Sequence, residues 1–362
     1  MDQGALDADA VTLRVRAGAE AKQGPFALLV EGEATVAAIS RYNAFPFPAF
    51  DLEQWRPVQA VVADPESLEL NRLQIEYRGP RASLTGGRQR IDLDDQRWVG
   101  SVGWRQNEQT FDAIRGSAKI GPATVDLSYA ISQRTIFGSD ARPRTALDGE
   151  FVFVGVSAGN GVVSAKVFAY LLDYDDTFAF ANSSQTYGAF VNANLPVAGS
   201  AKLGLRASYA RQLDYGANPF DYGANYRSFD VTSKLAGFDL AAGIETLSSD
   251  RGRAVQTPMA TLHRFNGWAD VFLTTPPQGL QDLHLLLARK FPEAKALSGL
   301  NASIALHRFR SAGGDFAYGH EIDAAVGARI GKVAALIKYA RYEARGFGAD
   351  TRKLWLQLEF AL

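Results

Sequence analysis

The sequence predicts an all-β fold: a transmembrane, antiparallel up-and-down β-barrel of about 18 strands, seventeen of them visible. Three observations carry this expectation. Apolar residues recur at every second position, the connections alternate between tight and long, and 362 residues divide into about 18 units of one strand plus one connection. Residues 1–362 are expected to form a single domain.

The alternation begins at 11–21, where Val11, Leu13, Val15, Ala17 and Ala19 oppose Thr12, Arg14, Arg16 and Glu20. Gln23-Gly24-Pro25 turns this segment into 26–38. Segments 68–78 and 81–91 meet at Gly79-Pro80, and 109–119 and 123–134 at Gly121-Pro122. In the latter, Val125, Leu127, Tyr129 and Ile131 oppose Thr124, Asp126 and Ser128. Gly159-Asn160-Gly161 joins 149–158 to 162–173, and Ala198-Gly199-Ser200 joins 185–195 to 201–212. Gly237 joins 225–235 to 238–248, a looser 292–298 joins 282–291 to 299–309, and Gly331-Lys332 joins 319–330 to 333–342. The last segment, 351–360, sets Leu354, Leu356, Leu358 and Phe360 against Gln357 and Glu359. A helical period fits none of these.

The remaining connections are longer: 39–67, 92–108, 135–148, 174–184, 213–224, 249–281, 310–318 and 343–350. Outer-membrane barrels sort their connections this way, with short periplasmic turns and long extracellular loops. Lipid cannot satisfy an open sheet edge, so the sheet must close. Tyr77, Tyr129, Tyr187, Tyr209, Tyr339 and Phe360 fall on the apolar parity near strand ends, as interfacial aromatics do.

Composition excludes other classes. No cysteine means no disulfide framework, no CxxC zinc site and no thiolate nucleophile. With 38 Lys+Arg against 39 Asp+Glu, the net charge of −1 lacks the basic footprint of a nucleic-acid binder. Mean hydropathy is −0.11 and no apolar run reaches the ~18 residues of a membrane helix. Met1-Asp2-Gln3-Gly4 has neither the basic start nor the apolar core of a signal peptide. Bacterial single-chain barrels have even strand numbers, so an upward strand before residue 11 is expected to be missing, with residues 1–10 as the outer turn that followed it. The chain then reads as a truncated or mis-started form of an 18-stranded protein that also lost its signal peptide, or else one hairpin is miscounted.

The block Gly87-Arg88-Gln89-Arg90-Ile91-Asp92-Leu93-Asp94-Asp95-Gln96-Arg97-Trp98-Val99-Gly100, continuing to Arg115, resembles the alginate export family of outer-membrane barrels. So do Leu262-His263-Arg264-Phe265-Asn266-Gly267-Trp268-Ala269-Asp270 and Tyr318-Gly319-His320-Glu321-Ile322-Asp323. The resemblance spans nearly the whole chain. It implies an 18-stranded barrel that passes an anionic polysaccharide such as alginate, or related solutes, through an arginine-rich lumen. It places the chain in the outer membrane, in contact with its lipid. Small anions are further candidate partners, a monomer is the expected state, and no cofactor is implied.

Strand parity nominates the lumen lining. The basic candidates are Arg14, Arg16, Arg72, Arg88, Arg90, Arg115, Lys119, Lys166, Arg206, Arg329 and Lys338, with Lys202 and Lys234 beside them. A β-bulge near Gly86-Gly87 is expected to turn Arg88 and Arg90 toward the pore. The acidic candidates are Glu20, Glu31, Glu33, Glu76, Asp126, Asp230, Asp239, Glu245, Glu321, Asp323 and Glu359. Cross-strand ladders would pair much of this charge, and unpaired Arg and Lys would favour anions. Arginine suits a sugar carboxylate because its planar fork binds both oxygens. A passive mixed-charge pore fits the same inventory.

Two long loops are candidate gates: 40–67, with Phe45, Phe47, Phe50 and Trp55 among prolines, and 249–281 with the 263–270 segment. Periodicity does not separate an inward constriction from an outer cap. Catalysis would have to use His284 or His307 with Ser303, which reads more simply as lumen filler, and no HExxH, GxSxG or Walker-type loop is present. The Asp-rich tip 172–176 matches no calcium loop. Two classes remain: a pore for an anionic polysaccharide, favoured by unpaired Arg115 and Arg206, and a plugged structural or receptor barrel presenting its outer loops. A soluble periplasmic sugar-binding β-protein is a third reading.

Overall fold

The structure is a computed structural model describing residues 1–49, 53–197, 202–294 and 297–361. Its strands are β1 (Asp2–Gln3), β2 (Leu6–Asp7), β3 (Asp9–Gln23), β4 (Phe26–Arg41), β5 (Ser67–Arg78), β6 (Ala82–Gln89), β7 (Thr110–Ile120), β8 (Ala123–Arg134), β9 (Ala146–Gly159) and β10 (Val163–Tyr174). They continue as β11 (Ser184–Pro196), β12 (Lys202–Asp214), β13 (Gly223–Leu235), β14 (Phe238–Leu247), β15 (Ser249–Asp250), β16 (Arg253–Ala254), β17 (Leu280–Lys290), β18 (Ser298–Arg310), β19 (Ala317–Ile330), β20 (Val333–Ala344) and β21 (Thr351–Phe360). Nineteen of them form one antiparallel sheet, while β15 and β16 make a small separate hairpin.

Each expected long segment is a strand, and each pairs with its sequence neighbours, β14 passing directly to β17. Residues 1–10 lie in the wall: β1 pairs with β2 and with the outer end of β21, Asp2 opposite Arg352 and Gln3 opposite Thr351. The ring is nearly closed at this seam. Two expected turns, at 198–200 and within 292–298, lie wholly or partly outside the described residues, as does Phe50.

Alternation fixes the two faces. Leu13, Ile75, Ile114, Leu354 and Leu356 are among the exposed residues of the outer face, and the six aromatics named above are exposed with them. Opposite parity faces the lumen. There the molecule departs from a simple water-filled tube. Phe151, Phe153, Phe168, Tyr170, Tyr174, Tyr226, Phe309 and Tyr342 point inward and are buried with Ile91, Leu93, Val99 and Met259 from two loops. A barrel this wide does not fill itself with wall side chains, so chain entering from the loops supplies the packing.

The expected bulge at Gly86-Gly87 is absent. The register runs unbroken from Arg78↔Ser83 to Leu73↔Arg88 and from Ala82↔Ala118 to Gln89↔Phe111. Gly87 instead adopts φ +111°, and a Cβ there would lie 2.3 Å from the Leu73 carbonyl oxygen. This bends the end of β6 without adding a residue. Shifts in register occur elsewhere, including Val11/Thr12, Glu31/Gly32 and Asp112/Ala113.

Candidate functional site

Two loops meet inside the barrel. The first, residues 90–109, leaves β6 and reaches the opposite wall. Arg97 is buried and donates to both carboxylate oxygens of Glu245 on β14, at 2.7 and 3.2 Å, and to Thr257 Oγ1 at 2.9 Å. Tyr226 and Asn266 complete the shell of Glu245, each at 2.7 Å. Burial works against the charge on Arg97, but Glu245 outweighs it and raises the guanidinium pKa. Asp94 takes hydrogen bonds from Lys166 at 3.1 Å and Tyr170 at 3.3 Å, and Asp95 lies 3.0 Å from Arg206. Trp98 packs against Phe168 and Tyr226.

The second loop, residues 255–279, joins the first through backbone. Val99 bridges Met259, Gly100 N–H donates to the Met259 carbonyl at 2.9 Å, and Thr261 N–H to the Gln96 carbonyl at 3.1 Å. It is fastened to β19–β21. Asp270 accepts from Lys353 at 3.0 Å and lies 2.7 Å from His263 Nδ1 and 3.5 Å from Arg105. Burial alone would raise the Asp270 carboxyl, but His263, Lys353 and Arg105 hold it far below the usual carboxylate range. Burial also pushes His263 down to about 4, against the pull of Asp270. Trp268 and Ala269 N–H groups donate to Asp323 and Glu321 at 3.1 and 2.6 Å. Three indoles, Trp104, Trp268 and Trp355, surround the Lys338 ammonium at 5.3, 4.1 and 5.3 Å from their centroids.

The third long connection behaves differently. Tyr42, Phe45, Ala49 and Ala60 bury themselves with Phe47, Trp55 and Phe137 as a separate outer core. Its end reaches the lumen loops, where Asp64 accepts from the Gln106 N–H at 3.1 Å. Of the two loops expected as candidate gates, one enters the barrel and the other caps it.

The wall strands β3–β5 and the two ends of the first loop share a neutralised cluster. Arg16, Arg72 and Arg90 pair with Glu31, Glu33 and Glu108. Arg72 takes Glu31 with both ends of its fork at 2.9 and 2.6 Å. Arg14 donates to the carbonyls of Gly103 and Arg105, holding the first loop from the other side.

Of the basic candidates, Arg88 is corrected. Register sets it opposite Leu73 and Asp112, on the outward parity of Leu84 and Ile114, and it forks onto Asp112 at 2.8 Å twice. The unbroken register denies it the bulge that would have turned it inward. The others share the lumen parity. Arg14, Arg16, Arg72, Arg90, Lys166, Arg206 and Lys338 are engaged by the loops or by wall partners. Arg206 in particular is occupied by Asp95, Asn192 and the Phe190 ring. Among the described residues, the side chains of Arg115, Lys119 and Arg329 have no ion-pair or hydrogen-bond partner, and the same holds for those of Lys202 and Lys290.

Beneath the root of the first loop lies a polar recess of about 330 Å³, lined by Gln74, Ser83, Thr85, Gln89, Arg90 and Arg115 among others. His284 and His307 bond Asp230 and Asp282 at 3.1 and 2.9 Å, and no hydrogen bond joins either to Ser303 among the described residues.

Sequence reasoning missed Arg105, the buried latch at Asp270 and the tryptophan cage. Their signal was present: Trp104 and Arg105 lie in the 87–115 block, Trp268 and Asp270 in the 262–270 block. The two most distinctive stretches of the sequence are the two loops that meet in the lumen.

Comparison with known proteins agrees with this architecture. The family model described as alginate export matches residues 4–201. No curated protein matches the chain. Among solved structures, OccK9 (OpdG) of Pseudomonas aeruginosa superposes with a TM-score of 0.72 at 15% identity, covering 96% of this chain and 89% of that one. OccAB4 of Acinetobacter baumannii gives 0.70 at 12% identity, covering 97% and 90%. OpdK of Pseudomonas aeruginosa, solved with vanillate, gives 0.69 at 12% identity, covering 97% and 92%. The chain belongs to the alginate export family and is an outer-membrane β-barrel channel.

Proposed function

We propose that the channel passes anionic solutes, with carboxylate-bearing oligo- or polysaccharides such as alginate as the substrate class, and that it acts as a single-domain monomer. One observation carries this reading: among the described residues, the side chains of Arg115 in the middle of β7 and of Lys119, Lys202, Lys290 and Arg329 near the periplasmic strand ends are unpaired on the lumen parity, against one unpaired carboxylate there, Glu359. Most of the remaining lumen charge is paired and contributes little net field. The free cations are therefore what a permeating ion meets first from the periplasm. Arg115 at the recess adds a fork suited to carboxylate.

A general mixed-charge porin is the plainer alternative. A plugged receptor barrel is favoured by the meeting of the two loops. Reversal potentials across a planar bilayer under a salt gradient separate the three. Anion preference, with block by oligouronates and not by neutral oligosaccharides of equal length, supports the proposal. Cation preference removes it, and a folded barrel without conductance leaves the receptor reading.

A further inference from the structure

The polar recess and the neck of the first loop share one arginine. Residues 90–109 leave and rejoin the wall where Arg90 pairs with Glu108, so this ion pair clasps the two ends of the loop together. Arg90 also lines the recess beneath. Register gives the recess its shape. Ser83 stands opposite Ser117, and their hydroxyls lie 2.9 Å apart. One lumen row higher, Glu76, Thr85 and Arg115 stand side by side, and the fork of Arg78 takes Glu76 at 2.6 and 2.7 Å. One row above these, Gly87 faces Ala113, and a hydrogen and a methyl leave the wall hollow.

This hollow has the chemistry to take a sugar acid. Among the described residues its lining carries three arginines, Arg78, Arg90 and Arg115, against one carboxylate, Glu76. The Arg115 side chain has no partner and is free to fork onto a carboxylate. The side chains of Gln74 and Thr85 have no hydrogen-bond partner among the described residues either. With the two serines they offer donors and acceptors to ring hydroxyls. A volume of about 330 Å³ is at the small end of small-molecule sites, the scale of a short sugar rather than of a polymer.

Arg90 can leave Glu108 without orphaning it. Glu108 keeps Asn71 at 2.6 Å and Arg16 at 3.2 Å. Glu31, 3.5 Å from Arg90, keeps both prongs of Arg72. The cluster therefore has a second arrangement, with Arg90 turned to the recess, that costs less than breaking an isolated buried pair. A carboxylate already on Arg115 favours this arrangement, because it gains a second guanidinium there. We propose that the recess binds a single uronate from the periplasmic side, Arg115 holding its carboxylate, and that the bound acid draws Arg90 from Glu108 and loosens the neck of the first loop. The ligand shifts the equilibrium because it contacts Arg90 fully in one state and not in the other. On the anionic-solute reading of the channel, which this site presupposes, the solute itself unfastens the loop that stands in its way.

The test is planar-bilayer recording with sodium glucuronate added to the periplasmic side at constant ionic strength, against glucose and sodium acetate. Glucuronate is expected to raise the opening frequency roughly fivefold or more, the lower end of ordinary coupling between sites. Glucose, which lacks the carboxylate, and acetate, which lacks the hydroxyls, should leave it unchanged. Arg115→Gln should abolish the response. Ser117→Leu, which fills the recess floor with all three arginines intact, should abolish it too. Glu108→Gln weakens the clasp itself and should open often without ligand, with little further rise. Equal responses to glucose or acetate, or an undiminished response in folded Arg115→Gln or Ser117→Leu, would overturn the site, and a quiet Glu108→Gln channel would overturn the clasp. A wild-type channel that prefers anions yet ignores glucuronate would sink the site and leave the anionic reading standing, whereas cation preference would remove both.

Discussion

Arg97 and Glu245 form a buried, two-pronged ion pair 148 residues apart in sequence, and this pair spans the lumen from a loop to the wall. Its position explains why a charge pair stands in an otherwise aromatic setting. Glu245 is held by three donors, so the pair fixes the loop at one height rather than merely near the wall. Breaking one member leaves the other buried and unpaired, which typically costs ~3–5 kcal/mol. Arg97→Leu is therefore expected to release the loop, with larger and noisier single-channel conductance. The double variant Arg97→Leu/Glu245→Leu should recover much of the stability, because no orphan charge remains. Bilayer recordings and thermal unfolding of the three variants check this, and additivity of the single effects would refute the coupling.

His263 makes the second loop pH-sensitive. Its imidazole titrates at about 4 in the folded protein against an unperturbed 6.5. The released state therefore binds more protons between these values. The latch is fully made above pH 6.5 and weakens as the pH falls toward 4, by up to about 3 kcal/mol. Asp270, whose pKa is pushed down, keeps its charge throughout that window and does not contribute to the change. Opening frequency should rise as the pH drops from 7 to 4.5. In His263→Gln, whose amide still donates to Asp270, that rise should be lost.

Arg88 and Arg115 separate the outer face from the lumen. Both were nominated by parity, yet only Arg115 faces the recess, while Arg88 is forked onto Asp112 on the outer parity. Arg115→Gln is expected to shift the reversal potential toward cations. Arg88→Gln should leave it unchanged and lower thermal stability instead, by up to about 1 kcal/mol, because Asp112 loses its forked partner. Equal shifts in both variants would contradict the register.

The strands were legible because lipid imposes a period of two on every one of them, and a single phase error would expose polar groups to hydrocarbon. An assumed break in the rule misplaced Arg88, since Gly86-Gly87 reads as a bulge in sequence while the register runs through it unbroken. The lumen was less legible for a different reason. Parity states which residues point inward but not which loop meets them, and Arg97–Glu245 or Asp270–Lys353 depend on contacts far apart in sequence. Inward Phe151, Phe153, Phe168 and Tyr170 were the available hint, because a hydrated channel has no use for so many buried rings.

Gly267 offers a way to move the second loop by a single atom. It adopts φ +84°, and a Cβ there would fall 2.4 Å from a Glu321 carboxylate oxygen. Glu321 is the acceptor for the Ala269 N–H, so the clash strikes the bond that seats the loop on β19. Gly252 supplies the control. It has φ +79°, and a Cβ there would meet nothing within 4 Å. Both alanine variants bear the cost of a left-handed backbone, about 1 kcal/mol. Only Gly267→Ala should also displace the loop and raise conductance. Stability losses of similar size with conductance altered in Gly267→Ala alone would place the effect at Glu321 rather than in backbone strain, whereas matching conductance in the two variants would remove Gly267 from the gate.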